Sequence, residues 1–150
     1  MYKVIENYEL NKNEEIKVKI KAPYHIQQAL HGDVGFDIRA SKKTYIFPME
    51  TKTISTGVYV ELPEGIECQV RPKSGLSSKG LLVHFGTVDT GYRGEIGVTV
   101  TNLTGNNYMF DEWDKVAQLV FKKYDPVVLE VVDEIDTNTH RKDKGFGSIS

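Results

Sequence analysis

The residues best suited to chemistry lie in a glycine-rich stretch at positions 86–97, GTVDTGYRGEIG. Glycine takes positive φ without steric cost, so this stretch is expected to turn sharply and to let a ligand approach its backbone. It presents Asp89, a carboxylate that can take a proton from water, and Tyr92, a ring that can lie against an apolar face. Alternating apolar residues on both sides predict the tip of a β-hairpin. An ordinary turn with a solvated aspartate has the same pattern.

A second candidate is the segment RPKSGLS at positions 71–77, which combines cations, a hydroxyl and a glycine at the end of a predicted strand. Lys73 supplies positive charge, Ser74 supplies an O–H donor, and Gly75 with its neighbours exposes backbone N–H groups. This combination suits phosphate oxygens, although the same residues also form surface turns.

A third candidate is the C-terminal segment RKDKGFGS at positions 141–148, where Phe146 lies between two glycines and close to several cations. An aromatic ring on flexible glycines beside cations can cover a base and its phosphates together. Taken alone, the segment is more typical of a disordered basic end.

The elements that must position these residues are short β-strands. Apolar alternation and turn signals predict strands at 16–20, 44–47, 51–55, 57–62, 66–70, 81–85, 96–100, 108–110, 116–121 and 127–132. Many short strands and almost no 3.6-residue periodicity indicate an all-β sandwich, jelly roll or barrel with very little helix. A single helical turn is possible at 24–30. The apolar pattern stops near Asp133, so a mobile C-terminal arm is expected from about 134 to 150, and residues 1–13 form an N-terminal extension.

Length and composition limit the possible classes. A chain of 150 residues fits one domain, 1–150, and a net charge of −2 argues against sequence-independent binding to nucleic acid or an acidic membrane. Cys68 is the only cysteine, which fits a reducing compartment. No apolar run approaches the roughly 18 residues that span a bilayer, so a soluble cytoplasmic protein is expected.

Five segments, taken together and in this order, resemble the five motifs of the trimeric dUTP pyrophosphatases, the dUTPase family. They are VGFDIRA (34–40), RPKSGLS (71–77), GTVDTGYRGEIG (86–97), DKVAQLVF (114–121) and RKDKGFGS (141–148). The resemblance implies a jelly-roll-like, distorted β-barrel subunit in a homotrimer whose active sites are each shared by three subunits. It also implies hydrolysis of dUTP to dUMP and pyrophosphate, which limits uracil in DNA and supplies dUMP for dTTP synthesis.

The resemblance assigns roles in the hydrolysis to single residues. Asp89 would be the general base that orients and deprotonates the water attacking the α-phosphorus. Asp37 would lie near the Mg²⁺ that chelates the phosphates and would act on it through water. The phosphates would be contacted by Lys73, Ser74, Gly75 and Gln118.

Other residues would select and enclose the nucleotide. Tyr92 would lie against the sugar where a ribose 2′-hydroxyl would need to fit. Some family members read uracil with an asparagine six residues before the catalytic aspartate, where this chain has Val83. The uracil edge would then be read by the hairpin backbone, at Gly86, Thr87 and Val88. The arm would close over the bound nucleotide with Arg141, Phe146, Gly147 and Ser148.

The chain departs from the family pattern at several positions. Lys73 stands where arginine is usual, which replaces a bidentate donor with a point charge. Trp113 and Lys142 each stand where the family has glycine, and positions 149–150 hold Ile-Ser in place of Thr-Gly. Loss of the threonine hydroxyl would weaken contacts to the γ-phosphate, and the charge of Lys142 would partly compensate.

Two alternatives to dUTP hydrolysis share this fold. A dCTP deaminase-like or bifunctional enzyme has a similar hairpin, but its catalytic glutamate falls three residues before the asparagine that is here Asn102, and that position is Thr99. A nucleotide-dependent regulatory protein is the other alternative, with a protein partner if the chain is viral.

Overall fold

The computed structural model describes residues 15–147, which form eleven strands and one four-residue helix. These are β1 (Lys19–Lys21), β2 (Phe36–Arg39), β3 (Thr44–Ile46), β4 (Thr51–Ile54), β5 (Tyr59–Glu61), β6 (Ile66–Arg71), α1 (Ser74–Ser77), β7 (Leu81–Val83), β8 (Gly86–Val88), β9 (Val98–Asn102), β10 (Tyr108–Phe110) and β11 (Lys115–Lys123). The all-β class with very little helix is confirmed. In the described part of the chain, no helix is long and apolar enough to cross a membrane. The N-terminal extension predicted at 1–13 lies outside the described residues, as does Ser148.

Two larger antiparallel sheets hold the core. One has the strand order β2-β11-β6-β8 and the other has the order β4-β9-β7, and the pairs β1-β5 and β3-β10 flank them. Buried residues alternate with less buried ones along β6 and β9, so that each of these strands presents one face to the core. Ile38, Val70 and Leu119 of the first sheet and Ile54 and Val98 of the second belong to one buried cluster.

The predicted hairpin around the glycine-rich stretch is present, but its tip is wider than expected. β7 pairs with β9, as the alternation predicts. Residues Gly86–Val88 then leave this sheet and form β8, which pairs with β6 in the other sheet. Gly86 lies so close to Val70 that an added Cβ would be 3.3 Å from the Val70 Cβ. Glycine has no Cβ and avoids this tight contact. The stretch therefore connects the two sheets.

Several local predictions are wrong. Residues 24–30 form no helical turn; Gln28 makes a β-bridge to Phe36, and the Asp37 N–H donates to the Gln27 carbonyl. The segment between the strands predicted at 66–70 and 81–85 contains the helix α1.

The strand predicted at 127–132 is also absent, because these residues form no sheet pairing and their apolar side chains are exposed. The apolar pattern predicts burial, but Val128 is 93% exposed and Val131 is 97% exposed.

Candidate active site

Three of the five motifs meet on one face of the four-stranded sheet. β11 lies between β2 and β6, so Gln118 pairs with Asp37 on one side and with Arg71 on the other. Directly paired residues in antiparallel strands present their side chains on the same face. Asp37, Gln118 and Arg71 therefore form one row, which ends beside α1.

Asp37 is the electrostatic centre of this row. Its side chain is only 6% exposed; Oδ1 accepts a hydrogen bond from the Lys73 Nζ, and Oδ2 lies 3.1 Å from the Lys115 Nζ. Burial raises the pKa of Asp37, but the hydrogen bonds and charges of the two lysines outweigh it and hold that pKa below its usual value. Two ammonium groups and one carboxylate leave a net positive charge, which favours an anionic ligand.

Gln118 ties the fourth motif to the second. Its Nε2 donates to the Pro72 carbonyl at 3.0 Å, just before α1. Gly35 of the first motif makes room for this side chain, since a Cβ at position 35 would lie 1.9 Å from the Gln118 Oε1. The first motif thus needs its glycine because of a residue more than eighty positions away.

Ser74 and Gly75 open the short helix and are both exposed. The buried Leu76 anchors the helix in the core, while the Lys73 carbonyl accepts the N–H groups of Leu76 and Ser77. A Cβ added to Gly75 would meet open space. The Ser74 hydroxyl and the Gly75 backbone are therefore accessible to a ligand beside the Asp37 row.

The hairpin holds Asp89 and Tyr92 in a defined turn. The Asp89 carbonyl accepts the Tyr92 N–H at 3.0 Å, and the Tyr92 hydroxyl donates to the Glu95 carbonyl at 2.7 Å. A Cβ at Gly94 would lie 2.4 Å from the Tyr92 Oη, so glycine permits the ring to fold back. The Glu95 Oε1 accepts a hydrogen bond from the Ser55 Oγ at 2.6 Å, which fixes the turn to the other sheet. The Asp89 side chain itself is exposed.

Asp89 borders a surface cavity of about 190 Å³, lined by Glu67, Thr87, Val88, Asp89, Thr90 and Tyr124. Sequence reasoning missed Glu67, Thr90 and Tyr124. The pairing of Val88 with Cys68 places Glu67 beside the residue that follows β8. Only the pairing of β8 with β6, which the local pattern does not predict, could have identified Glu67.

Within one chain, Asp89 is separated from the row that contains Asp37. Asp89 follows β8 at the level of Glu67, whereas the row crosses β6 at Arg71, four residues away. At about 3.3 Å per residue along a strand, this separation is roughly 13 Å. Asp89 therefore does not contact Lys73 or Ser74 of the same chain.

Among the described arm residues, Arg141, Phe146 and Gly147 show no contact with either cluster. The Arg141 Nε donates to the Lys144 carbonyl at 2.6 Å, and the Lys144 N–H donates to the Arg141 carbonyl at 3.0 Å, which makes a local turn. Phe146 is fully exposed and has a φ of 48°, and Gly147 has a φ of 87°. These contacts lie within the arm.

Metal binding by side chains alone does not fit the described residues. Residues 15–147 contain no group of three or more His, Cys, Asp or Glu side chains that could hold a metal ion. Both oxygens of Asp37 already meet lysines. This arrangement suits a Mg²⁺ ion that is held mainly by phosphate oxygens and reaches Asp37 through water.

Comparison with known proteins agrees with the motifs. A family profile described as dUTPase matches residues 21–149. The deoxyuridine 5′-triphosphate nucleotidohydrolase of Clostridium novyi (strain NT) is 43% identical over 124 residues, covering 81% of this chain and 87% of the relative. The enzyme of the same name from Orientia tsutsugamushi (strain Ikeda) is 37% identical over 145 residues, covering 89% and 97%.

Solved structures agree as well. The Staphylococcus bacteriophage 80alpha dUTPase with dUpNHpp matches with a TM-score of 0.82 at 25% identity, covering 89% of this chain and 98% of that one. A mutant dUTPase from phage phi11 of S. aureus, described as revealing the coordination of a structural Mg(II) ion, matches with a TM-score of 0.73 at 26% identity, covering 79% and 97%. With the profile and relatives of this length and identity, the chain belongs to the dUTPase family.

Proposed function

We propose that this chain hydrolyses dUTP to dUMP and pyrophosphate by attack of water on the α-phosphorus, in sites shared between copies of the chain. Membership of the family makes it a dUTP diphosphatase. The observation that carries the proposal for the site is the positive cluster around Asp37 beside the exposed Ser74 and Gly75. A triphosphate needs such a group of cations and hydrogen-bond donors.

The phosphate side of the site consists of Lys73, Ser74, Gly75 and Gln118. Lys73 supplies an ammonium group, paired with Asp37 in this structure, Ser74 a hydroxyl, Gly75 a backbone N–H, and Gln118 an amide already fixed at one end by Pro72. Mg²⁺, when bound to the triphosphate, would withdraw charge from the phosphates, and Asp37 would hold one of its waters.

On the other side, Asp89 is the general base for the attacking water. The cavity beside it has room for several water molecules at about 30 Å³ each. General-base assistance contributes about 10²–10⁴-fold. In-line alignment of the water and neutralisation of the triphosphate charge supply the remaining acceleration.

Base and sugar selection fall to β8 and Tyr92. β8 is an edge strand, so one side of the backbone at Gly86, Thr87 and Val88 is free of sheet pairing and can read the uracil edge. The hydrogen bond from the Tyr92 hydroxyl to Glu95 holds the ring against the position of the sugar, where it excludes a 2′-hydroxyl.

A homotrimer with shared sites explains why the clusters are separated in one chain. Asp89 would come from one copy, the Asp37 row with Ser74 from a second, and Arg141, Phe146, Gly147 and Ser148 from the arm of a third. Support comes from the exposed apolar residues of the segment 127–132, which precedes the arm, such as Leu129 at 86% and Val131 at 97% exposure. Such residues are stabilised by burial against another copy.

Deamination of dCTP is the weaker candidate. The Thr99 hydroxyl, at the position of the deaminase glutamate, lies 3.0 Å from the Thr53 hydroxyl on the face of the other sheet. It is therefore not part of either cluster described above.

The test is pyrophosphate release from dUTP, dCTP, dTTP and UTP, with and without Mg²⁺. We expect kcat/KM for dTTP and UTP to fall at least about 100-fold below that for dUTP. Ammonia release from dCTP, or comparable rates with UTP, would contradict the proposal.

A single variant tests the base. Asp89→Asn should lower kcat by at least about 100-fold while leaving dUTP binding largely intact, because the amide cannot accept the proton. Glu64→Gln, an acid-to-amide change in an exposed turn, is the matched control and should behave as wild type. Retained turnover in the Asp89 variant would reject the assignment.

A further inference from the structure

A β-bulge lies at the start of β11, next to the fourth motif. Lys115 pairs with Arg39 and Ala117 pairs with Ile38, so Val116 is an extra residue in the ladder. β-Bulges re-aim the side chains around them and are common next to active sites.

The bulge changes the face on which Lys115 lies. In a regular strand, Lys115 and Gln118 would point to opposite faces because they are three residues apart. The extra residue puts both Val116 and Ala117 into the core, where each is 0% exposed, and leaves Lys115 on the same face as Asp37. From there its Nζ reaches the Asp37 Oδ2 at 3.1 Å.

Asp37 consequently has two cationic partners on two different oxygens. Lys73 holds Oδ1 from the segment before α1, and Lys115 holds Oδ2 from β11. Arg39 shares this face, but its Nη1 donates to the Trp113 carbonyl at 2.8 Å. Lys115 is therefore the cation placed to remain with Asp37 if Lys73 moves.

We infer that Lys115 is a positioning residue that keeps Asp37 paired when Lys73 turns to the triphosphate. The inference rests on the proposed function. Without Lys115, movement of Lys73 would leave a carboxylate that is only 6% exposed with no charged partner, which is strongly unfavourable. Lys115 thus acts through Asp37 and releases Lys73, and it does not itself contact the nucleotide.

The first experiment compares Lys115→Met with Lys123→Met, which removes an exposed lysine from the other end of β11. For Lys115→Met we expect KM for dUTP to rise about tenfold with kcat changed less than about threefold. This is the result expected when binding of the substrate and of the transition state weakens equally. The dissociation constant of α,β-imido-dUTP measured without Mg²⁺ should rise by a similar factor. Lys115→Arg, which keeps the charge, should stay within about threefold of wild type. Equal KM values for the two methionine variants would overturn the inference.

The second experiment separates action through Asp37 from direct contact with the nucleotide. In an Asp37→Asn background the carboxylate that needs pairing is gone, so adding Lys115→Met should change KM less than about threefold. A persistent tenfold effect would mean that Lys115 contacts the triphosphate, and the inference would fail. This comparison also holds if Lys115→Met alone does not fold, because the double variant contains no unpaired buried carboxylate. A wild-type chain that does not hydrolyse dUTP would refute the proposed function instead.

Discussion

Trp113 has a φ of 71° and Lys142 a φ of 52°, and both stand where the family pattern has glycine. Positive φ is sterically easy only for glycine, which explains the family preference at both positions. At Trp113 the ring packs edge-on against Tyr24, with ring centroids 5.5 Å apart, and the backbone N–H of Trp113 donates to the Ala40 carbonyl. Packing therefore offsets the backbone strain at this position.

The strain at Trp113 can be measured by comparing two truncations. Trp113→Gly and Trp113→Ala both remove the ring, but only glycine relieves the positive φ. We expect the glycine variant to have a free energy of unfolding about 1 kcal/mol higher than the alanine variant, measured by urea denaturation. Tyr45, in strand β3, is the control position. There the alanine variant should have the higher free energy of unfolding, because glycine weakens a regular strand. A Trp113→Ala variant as stable as Trp113→Gly would show that the position is unstrained.

Cys68 is a buried residue of β6, and burial raises the pKa of its thiol from 9.0 to about 12. The folded chain thus keeps the proton over a pH range in which the unfolded chain loses it. Stability from this group is fully present below pH 9 and falls as the pH rises from 9 towards 12.

The raised pKa of Cys68 predicts that, above pH 9, the free energy of unfolding falls more steeply with pH in the wild type than in Cys68→Ala. The pKa of Tyr24 is also raised by burial, but Tyr24 is present in both proteins, so the difference isolates Cys68. Native protein should resist iodoacetamide at pH 8 and react only after unfolding. Parallel stability curves above pH 9 would contradict the burial argument.

At the scale of elements, alternation predicts individual strands well and their partners poorly. Strands β3, β4, β6, β10 and β11 lie close to their predicted positions. The pairing of β8 with the four-stranded sheet and the bulge at Val116 both depend on contacts between distant segments. The contact of Asp37 with Lys115 depends on that one extra residue, which no local pattern identifies. Lys73, Ser74 and Gly75 can be predicted from their chemistry and Gln118 from the motif resemblance, whereas Glu67 requires the sheet order.

Gly35 offers a test of how the first and fourth motifs fit together. In Gly35→Ala the new Cβ would lie 1.9 Å from the Gln118 Oε1, so the amide must move and lose its hydrogen bond to Pro72. We expect a loss of about 1–3 kcal/mol in unfolding free energy and a raised KM for dUTP. Gly105→Ala, where an added Cβ meets open space, is the control and should be nearly neutral.

A second substitution shows whether the clash is the cause. Adding Gln118→Ala to Gly35→Ala removes the group that the Cβ meets, so most of the lost stability should return. If stability does not return, the glycine is required for another reason.

At the scale of the whole molecule, one chain carries three functional groups of residues that do not meet. Asp89 lies roughly 13 Å along the sheet from the row at Arg71, at about 3.3 Å per residue. Phe146, in the described part of the arm, is fully exposed. The apolar residues at 127–132 are exposed although their composition is that of a buried strand. All three features agree with the proposed homotrimer, whose contacts between copies cannot be read from the pattern of one sequence.

Subunit mixing tests this arrangement. Chains with Asp89→Asn keep the arm but lack the base, and chains truncated after Asp136 keep the base but lack the arm, so each preparation alone should be inactive. The two variants are then mixed in equal amounts and reassembled into trimers. If a site takes its hairpin and its arm from different copies, about half of the hairpins carry Asp89 and about half of the arms are intact, so about a quarter of the sites should be active. A mixture of Asp89→Asn chains with truncated Asp89→Asn chains controls for residual turnover. If the mixed protein assembles as trimers, confirmed by light scattering, and stays inactive, the arm must close over the hairpin of its own chain.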